Sequence, residues 1–229
     1  MNILVTGANG NIGQAIVGHY ANGMYHKTHG IGRGKQLGYY VPNKYTQLDL
    51  TNWDAVNLFC RDCEKFDLVA ICHGVQVPCE LRYMNENTYE HVVKNNLDSA
   101  VALVSNLIQH GRLQDGALVV LCSSIQANAP RAGRGAYGVA KAGLEVLAKT
   151  IAAESDGKFR AVALRLGQLT DNMKGINFSD AQMDYIHTRC YTELVKPIDV
   201  ARFIDGLYYQ KAMTGCVIDF DSGHGRNIW

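Results

Sequence analysis

The chain opens on an apolar run, Asn2-Ile3-Leu4-Val5, that leads straight into a glycine-rich turn, Thr6-Gly7-Ala8-Asn9-Gly10-Asn11-Ile12-Gly13. The run reads as a buried strand. Beyond the turn, Ile12 to Tyr20 reads as a helix with Ile12, Ala15 and Ile16 as its apolar positions. Strand, glycine turn and helix in that order build a cradle for phosphate. Glycines let the backbone turn sharply and approach a pyrophosphate, and the N–H groups at the helix start face the anion. Gly7, Asn9, Asn11, Ile12 and Gly13 are the residues this reading sets against a dinucleotide. An ordinary glycine-rich connection is the bland alternative, and the type and order of the flanking elements favour the cradle.

The same alternation continues along the chain. Strand-like runs occur at Asn2–Thr6, Thr28–Gly32, Thr46–Leu50, Asp67–Cys72, Ala117–Cys122, Arg160–Leu166 and Cys216–Phe220. Helices are expected near Ile12–Ala21, Asn52–Lys65, Glu86–His110, Ala136–Ser155 and Pro197–Tyr209, with Tyr39–Lys44 standing in for a helix between the second and third strands. Alternating β and α implies an α/β fold with a parallel sheet covered on both faces. Right-handed crossovers make it doubly wound, a Rossmann-type three-layer domain over residues 1–229. Ligands bind such sheets at the carboxyl ends of the strands. Gly7–Gly13, Arg33, Asp49, Cys72–Gly74, Ser124 and Gly167–Thr170 all fall there.

Composition excludes several classes. A net charge of +1 gives no basic footprint for nucleic acid or an acidic membrane surface. No apolar run approaches the ~20 residues of a membrane span. The first residues enter a strand directly, so no signal peptide is expected. Seven cysteines, an odd number, with Cys72, Cys122 and Cys216 in or beside hydrophobic runs, suit reduced thiols in a cytoplasmic protein. Cys60-Arg61-Asp62-Cys63 has the C-x-x-C spacing, but it closes a helical stretch without a knuckle turn, so neither zinc nor redox chemistry is assigned to it, and no metal is expected.

Tyr137 and Lys141 lie four residues apart in Gly135-Ala136-Tyr137-Gly138-Val139-Ala140-Lys141, so on a helix they project from one face. An ammonium beside a phenol favours the phenolate, and such a tyrosine can exchange a proton with a reacting group. Surface Tyr/Lys pairs are common. This one gains weight from Ser124, which follows a strand-like run thirteen residues before Tyr137.

Taken together, these motifs resemble the short-chain dehydrogenase/reductase family in its single-domain form, over nearly the whole chain. Ser124, Tyr137 and Lys141 match its Ser…Tyr-x-x-x-Lys motif, and Asn96 in Lys94-Asn95-Asn96-Leu97 matches the helix asparagine of its catalytic tetrad. Asp49-Leu50 matches the Asp-apolar pair whose carboxylate meets the adenine amine. Lys196-Pro197-Ile198-Asp199-Val200-Ala201, Thr214-Gly215 and Asp221-Ser222-Gly223 resemble its last helix, final strand and tail. There are departures. Asn11 replaces a usual glycine, giving a spacing closer to the family's extended and atypical branches. Ile71-Cys72-His73-Gly74 keeps only the glycine of the usual Asn-Asn-Ala-Gly, and Leu166-Gly167 replaces Pro-Gly.

The resemblance implies reversible hydride transfer between a nicotinamide and a carbonyl or alcohol carbon. Tyr137 would serve as general acid/base, Ser124 would hydrogen-bond the substrate oxygen, Lys141 would hold the ribose hydroxyls with Tyr137 also against the cofactor, and Asn96 would hold a water that relays protons. Cys72, His73, Gly74, Gly167, Leu169 and Thr170 would border the cofactor, with His73 structural or near the ribose rather than a base. Cofactor choice turns on the end of the second strand, Gly30-Ile31-Gly32-Arg33-Gly34-Lys35, which carries no carboxylate for an NAD ribose. Arg33 can clamp a 2′-phosphate and Lys35 adds charge, which favours NADP(H) over NAD(H); a basic solvated loop tolerant of either is the alternative. Residues 173–194 read as a substrate lid. Arg131 and Arg134 read as a solvated loop or as contacts to an anionic substrate. Two other functions stay open: a nucleotide-sugar epimerase or dehydratase, from the glycine spacing, and a non-catalytic NADP-binding sensor. The expected partners are a small carbonyl or alcohol substrate and, by resemblance, further copies of the chain in a homodimer or homotetramer. These would be joined through the helices Glu86–His110 and Ala136–Ser155, with Asn227-Ile228-Trp229 sealing a second interface.

Overall fold

The computed structural model describes residues 1–21, 25–36, 38–170 and 194–223. Their strands are β1 (Asn2–Thr6), β2 (Lys27–Gly32), β3 (Lys44–Gln47), β4 (Phe66–Ile71), β5 (Leu113–Ser124), β6 (Phe159–Leu166) and β7 (Cys216–Phe220). They form one sheet in the order β3-β2-β1-β4-β5-β6-β7, with every neighbouring pair parallel. The helices are α1 (Asn11–Ala21), α2 (Trp53–Asp62), α3 (Glu86–Val93), α4 (Ser99–Gln109), α5 (Gly135–Glu154) and α6 (Pro197–Tyr209). The α/β doubly wound reading therefore holds.

Strand side chains alternate between two cores. Leu4, Val69, Ile71, Val119 and Leu121 face one core, closed by Val56 of α2, Leu103 and Leu107 of α4 and Leu144 and Ala148 of α5. Ile3, Val5, Leu68, Ala70, Leu118 and Val120 face the other, closed by Ile16 and Val17 of α1 and Val200 and Ile204 of α6. A strand buried on both faces must be apolar at every position, which is why these segments read as continuous runs. Helix starts follow from local chemistry. Asn52 caps α2 by accepting from Ala55 N–H (3.1 Å), Asn85 caps α3 through Thr88 N–H (2.9 Å), and Pro197 fills the first turn of α6. At the far end of α6, the guanidinium of Arg160, on β6, donates to the carbonyls of Tyr208 (2.7 Å) and Gln210 (2.9 Å).

Strand β5 is longer than expected, Leu113–Ser124 rather than Ala117–Cys122, and two further elements differ. β3 runs over Lys44–Gln47 rather than Thr46–Leu50, because Asp49 folds back to accept from Thr51 N–H (3.0 Å) and Oγ (2.8 Å) and turns the chain towards α2. The long helix expected over Glu86–His110 is interrupted by a π-helical segment at Lys94–Asp98. There the amide of Asn96 donates to Val92 O, four residues back, and to Val75 O, both at 2.8 Å. A side chain that takes the i−4 carbonyl competes with the helix's own ladder, and π-bulges of this kind recur at functional sites.

Helix α5 is locked to the sheet by charge. Arg165 of β6 pairs with both carboxylate oxygens of Glu145 (2.9 and 2.7 Å) and with Asp219 (2.7 Å). Ser123 Oγ adds a bond to Glu145 at 2.8 Å. Removing one partner of such a pair strands the other. Glu145→Ala is expected to lower stability by about 3 kcal/mol in urea unfolding, and Glu145→Gln, which keeps an acceptor for Ser123, by visibly less.

Candidate active site

Strand β1 is flanked by β2 on one side and β4 on the other, so successive connections leave it in opposite directions. That reversal opens a crevice beyond the carboxyl ends of the strands. A cleft of about 510 Å³ lies there. Of the residues expected against a cofactor, Gly7, Asn9, Asn11, Ile12, Arg33, Asp49, Leu50, Cys72, His73, Gly74 and Leu169 line it. Asn95 and Ser99 line it as well, and sequence reasoning missed them. The Asn95-Asn96 repeat was the available signal. Gly13, Tyr137, Lys141, Gly167 and Thr170 are not among its lining residues. A Cβ on Gly13 would sit 2.2 Å from Gly7 O, and one on Gly167 would sit 2.7 Å from Asp221 Cα. Thr170 N–H bonds Val195 O at 2.9 Å.

The glycine turn is tight for stated reasons. Gly7 has φ +63°, and a Cβ there would lie 2.9 Å from His73 Cα. Gly10 N–H bonds Gly7 O at 2.8 Å, and α1 starts at the next residue. The backbone is therefore bare where the first-turn N–H groups of α1 point into the cleft, which fits a pyrophosphate. The 33–35 loop is fixed through its own carbonyls. Gln47 bonds Arg33 O (3.0 Å), Tyr45 OH bonds Gly34 O (2.8 Å) and Asn9 bonds Lys35 O (3.0 Å). With the backbone held, the exposed Arg33 side chain reaches across the rim to Asn95 Oδ1 at 3.0 Å. Nearby Asp49 is held below its ordinary carboxylate value by the Thr51 N–H and hydroxyl, with Arg33 assisting.

Asn96, Tyr137 and Lys141 gather beside this cleft, and Ser124 ends the adjoining strand. Tyr137 and Lys141 lie in the first two turns of α5, with the Lys141 ammonium 5.5 Å from the Tyr137 ring centroid. Lys141 Nζ donates to Cys122 O at 2.8 Å. Asn96 is fully buried, and its Oδ1 has no hydrogen-bond partner among the described residues. A Cβ on Gly74 would meet that oxygen at 2.2 Å and Lys141 Nζ at 3.5 Å, so Asn96, Gly74 and Lys141 converge on one spot. Ser124 closes β5 and caps the short 3-10 turn Ile125–Ala127 through Gln126 N–H (3.3 Å), while its neighbour Ser123 points the other way, into α5. The loop before α5 carries Arg134, whose guanidinium meets the Gln76 amide oxygen at 3.0 Å from Nε and 2.6 Å from Nη1. The expected lid lies outside the described residues except for Leu194, and so does Asn227-Ile228-Trp229.

His73 forms the floor. Its Nδ1 lies 2.7 Å from Thr6 Oγ and its Nε2 2.8 Å from Ser99 Oγ. Burial, with Lys141 and Arg33 adding positive charge, pushes it from its ordinary 6.5 down to about 3. Both nitrogens are engaged and the ring stays neutral, which suits a structural part. When the chain unfolds, this histidine regains its ordinary affinity for protons. The unfolded state then binds more protons below pH 6.5, so stability falls as pH drops from about 6.5 towards 3. His73→Asn should flatten that slope in denaturant titrations across this window.

Comparison with known proteins agrees with this geometry. The family model "short chain dehydrogenase" matches residues 1–180. The 3-oxoacyl-[acyl-carrier-protein] reductase FabG of Chlamydia pneumoniae is 25% identical over 150 residues, covering 65% of this chain and 60% of that protein, so the chain spans about 60% of its relative's length. A short chain dehydrogenase family protein of Francisella tularensis superposes with a TM-score of 0.86 at 21% identity, covering 97% of this chain and 98% of that one. A short chain dehydrogenase of Burkholderia cenocepacia, solved in complex with NADP, gives 0.86 at 17% identity, covering 98% and 97%. The described helices include none long and apolar enough to cross a membrane. With the glycine turn, the switch-point cleft and the Ser-Tyr-Lys cluster on one parallel sheet, and a family match over most of its length, the chain belongs to the short-chain dehydrogenase family.

Proposed function

We propose that the protein is an NADP(H)-dependent oxidoreductase that moves a hydride between the nicotinamide and a carbonyl or alcohol carbon. The observation that carries this reading is the placement of Tyr137 and Lys141 on the first turns of α5, beside a cleft that the glycine turn lines. The bound nicotinamide supplies or accepts the hydride. Tyr137 gives a proton to the carbonyl oxygen in reduction and takes it back in oxidation. Lys141 faces the phenol ring and offsets the negative charge left as the proton departs. Ser124, at the end of β5, donates to the same oxygen as charge develops on it. The unpartnered Oδ1 of Asn96, close to Lys141, is suited to hold a water that returns protons to Lys141. Gly7, Asn9, Asn11 and Ile12 would hold the pyrophosphate, and Asp49 and Leu50 the adenine side. Leu169, with Thr170 behind it, would border the nicotinamide.

Arg33 supports NADP(H). Its loop is fixed by three bonds to carbonyls, and no acidic side chain occurs between Gly30 and Lys35. The NADP complex of the Burkholderia relative is consistent with this choice. The sensor reading is weakened because the motif residues Ser124, Tyr137, Lys141 and Asn96 are all present in the sequence. The nucleotide-sugar reading is weakened by Arg33. Trp53, Leu97, Val101 and Val146 leave an apolar hollow between α4 and α5, which supports pairing with a second copy in a homodimer or homotetramer. Thiols at Cys60, Cys63, Cys72, Cys79, Cys122 and Cys216 suit a cytoplasmic setting.

Fluorescence titration with NADPH and NADH tests the cofactor. NADPH should bind more tightly, and Arg33→Ala should erase that advantage by about 10–100-fold, the range of one charge-assisted phosphate contact. Tighter NADH binding to the wild type would reverse the choice. In a panel of carbonyl substrates, Tyr137→Phe should lower kcat by about 10²–10⁴ while leaving NADPH affinity within error. An equal loss of cofactor binding would mean that the ring is structural.

A further inference from the structure

Cys72 and Cys122 follow neighbouring positions of parallel strands, β4 and β5, whose register sets Ile71 beside Leu121. Their sulfurs lie 3.5 Å apart. Neighbouring strands hold backbones ~4.8 Å apart, within the span that a disulfide bridges. The two thiols differ in access. Cys72 lines the cofactor cleft, while Cys122 is buried behind it at 3% exposure. They also differ in charge. The Cys72 thiol hydrogen-bonds Cys122 and the Lys141 ammonium lies near, which together draw the Cys122 thiol below its ordinary value. Cys72, as donor and in the same buried setting, is pushed up. Hydride transfer uses neither sulfur.

Both residues are tied to the machinery through their backbones. Cys72 N–H donates to Thr6 Oγ at 3.0 Å, and the next two residues, His73 and Gly74, are the cleft floor. Cys122 O accepts from Lys141 Nζ. Drawing the two sulfurs together therefore pulls on the floor and on the lysine at once.

We propose that Cys72 and Cys122 form a reversible dithiol–disulfide site on the floor of the cofactor cleft, oxidised by a small hydroperoxide in the cofactor-free enzyme and shielded by bound cofactor. In the first step the Cys72 sulfur attacks one peroxide oxygen and the O–O bond breaks. The other oxygen leaves, protonated, as water or an alcohol, and Cys72 becomes a sulfenic acid. In the second step the Cys122 sulfur attacks the Cys72 sulfur as its proton passes to the sulfenic hydroxyl, the S–O bond breaks, the S–S bond forms and water leaves. Two thiols lose two electrons and one hydroperoxide gains them. A dithiol reductant reverses the change. The pair with the motif-like spacing is not the reactive one: Cys60 and Cys63 are buried at 0% and 4%, and the Cys63 thiol points at Cys60 O, 3.7 Å away, under α2.

The shielding half of this proposal rests on the cofactor reading above, and the disulfide half does not. The test treats the full chain with hydrogen peroxide, with and without saturating NADP⁺. Free thiols are then blocked with iodoacetamide, and peptides are mapped before and after dithiothreitol. The expected product is a Cys72–Cys122 linked peptide, with the protein lighter by two hydrogen atoms, reversed by dithiothreitol. NADP⁺ at ten times its dissociation constant should slow its formation about tenfold, and the oxidised protein should bind NADP⁺ more weakly. Cys72→Ser should yield no disulfide at Cys122. A disulfide mapped to Cys60–Cys63, or Cys72 carried to sulfinic acid while Cys122 stays alkylatable, would overturn the proposal. So would an unchanged rate under NADP⁺ that a parallel titration shows to be bound. If that titration shows no binding, the cofactor reading fails, and the peptide map still decides whether the disulfide forms.

Discussion

Lys141 is 5% exposed, and its ammonium donates to the carbonyl of Cys122, two residues before the end of β5. A buried charge must be met by oriented dipoles or counter-charges. Here the meeting point is Cys122 O, one residue past the last pairing of β5 with β4, while the pairing of β5 with β6 runs on to Ser124. That bond fixes the start of α5 over the end of β5, and Tyr137, one turn earlier, comes with it. The lower part of α5 is fixed independently by Glu145, clamped by Arg165 and Ser123. One helix is thus held at two heights against one strand, with the Tyr137 phenol near the upper point. The cleft, the glycine at position 74 and the π segment around Asn96 are arranged about this single bond.

Packing explains the glycines that line the same region. Gly7 lies against the backbone of His73, Gly13 against Gly7 O, and Gly74 against Asn96 Oδ1. Each marks a place where two backbones, or a backbone and a buried amide, approach more closely than a methyl group permits. They run as a chain of contacts from the glycine turn past His73 and Gly74 to Asn96 and Lys141.

The fold was legible because strands buried on both faces read as unbroken apolar runs, as in Leu68-Val69-Ala70-Ile71 and Leu118-Val119-Val120-Leu121. That Ser124 stands at a strand end and that Tyr137 and Lys141 share one helix was legible, because the apolar run of β5 and the i, i+4 spacing each mark their element. Less was visible where side chains outvote periodicity. The early end of β3 depends on Asp49 bonding its own backbone, and the π segment depends on Asn96 reaching Val92 O. Neither leaves a mark in a hydrophobic pattern. The Cys72–Cys122 contact was hidden for another reason. Its partners are fifty residues apart in the chain and meet only through strand register, whereas the conspicuous Cys60–Cys63 spacing lies along one helix.

Leu169 and Val195 pair as an isolated bridge, and Thr170 N–H and Val195 N–H are both bonded across the same junction. The two ends of the connection between β6 and α6 are therefore tied to each other just beyond the sheet. Their separation is held by backbone bonds alone, so the point at which β6 hands over to α6 is set by the scaffold itself.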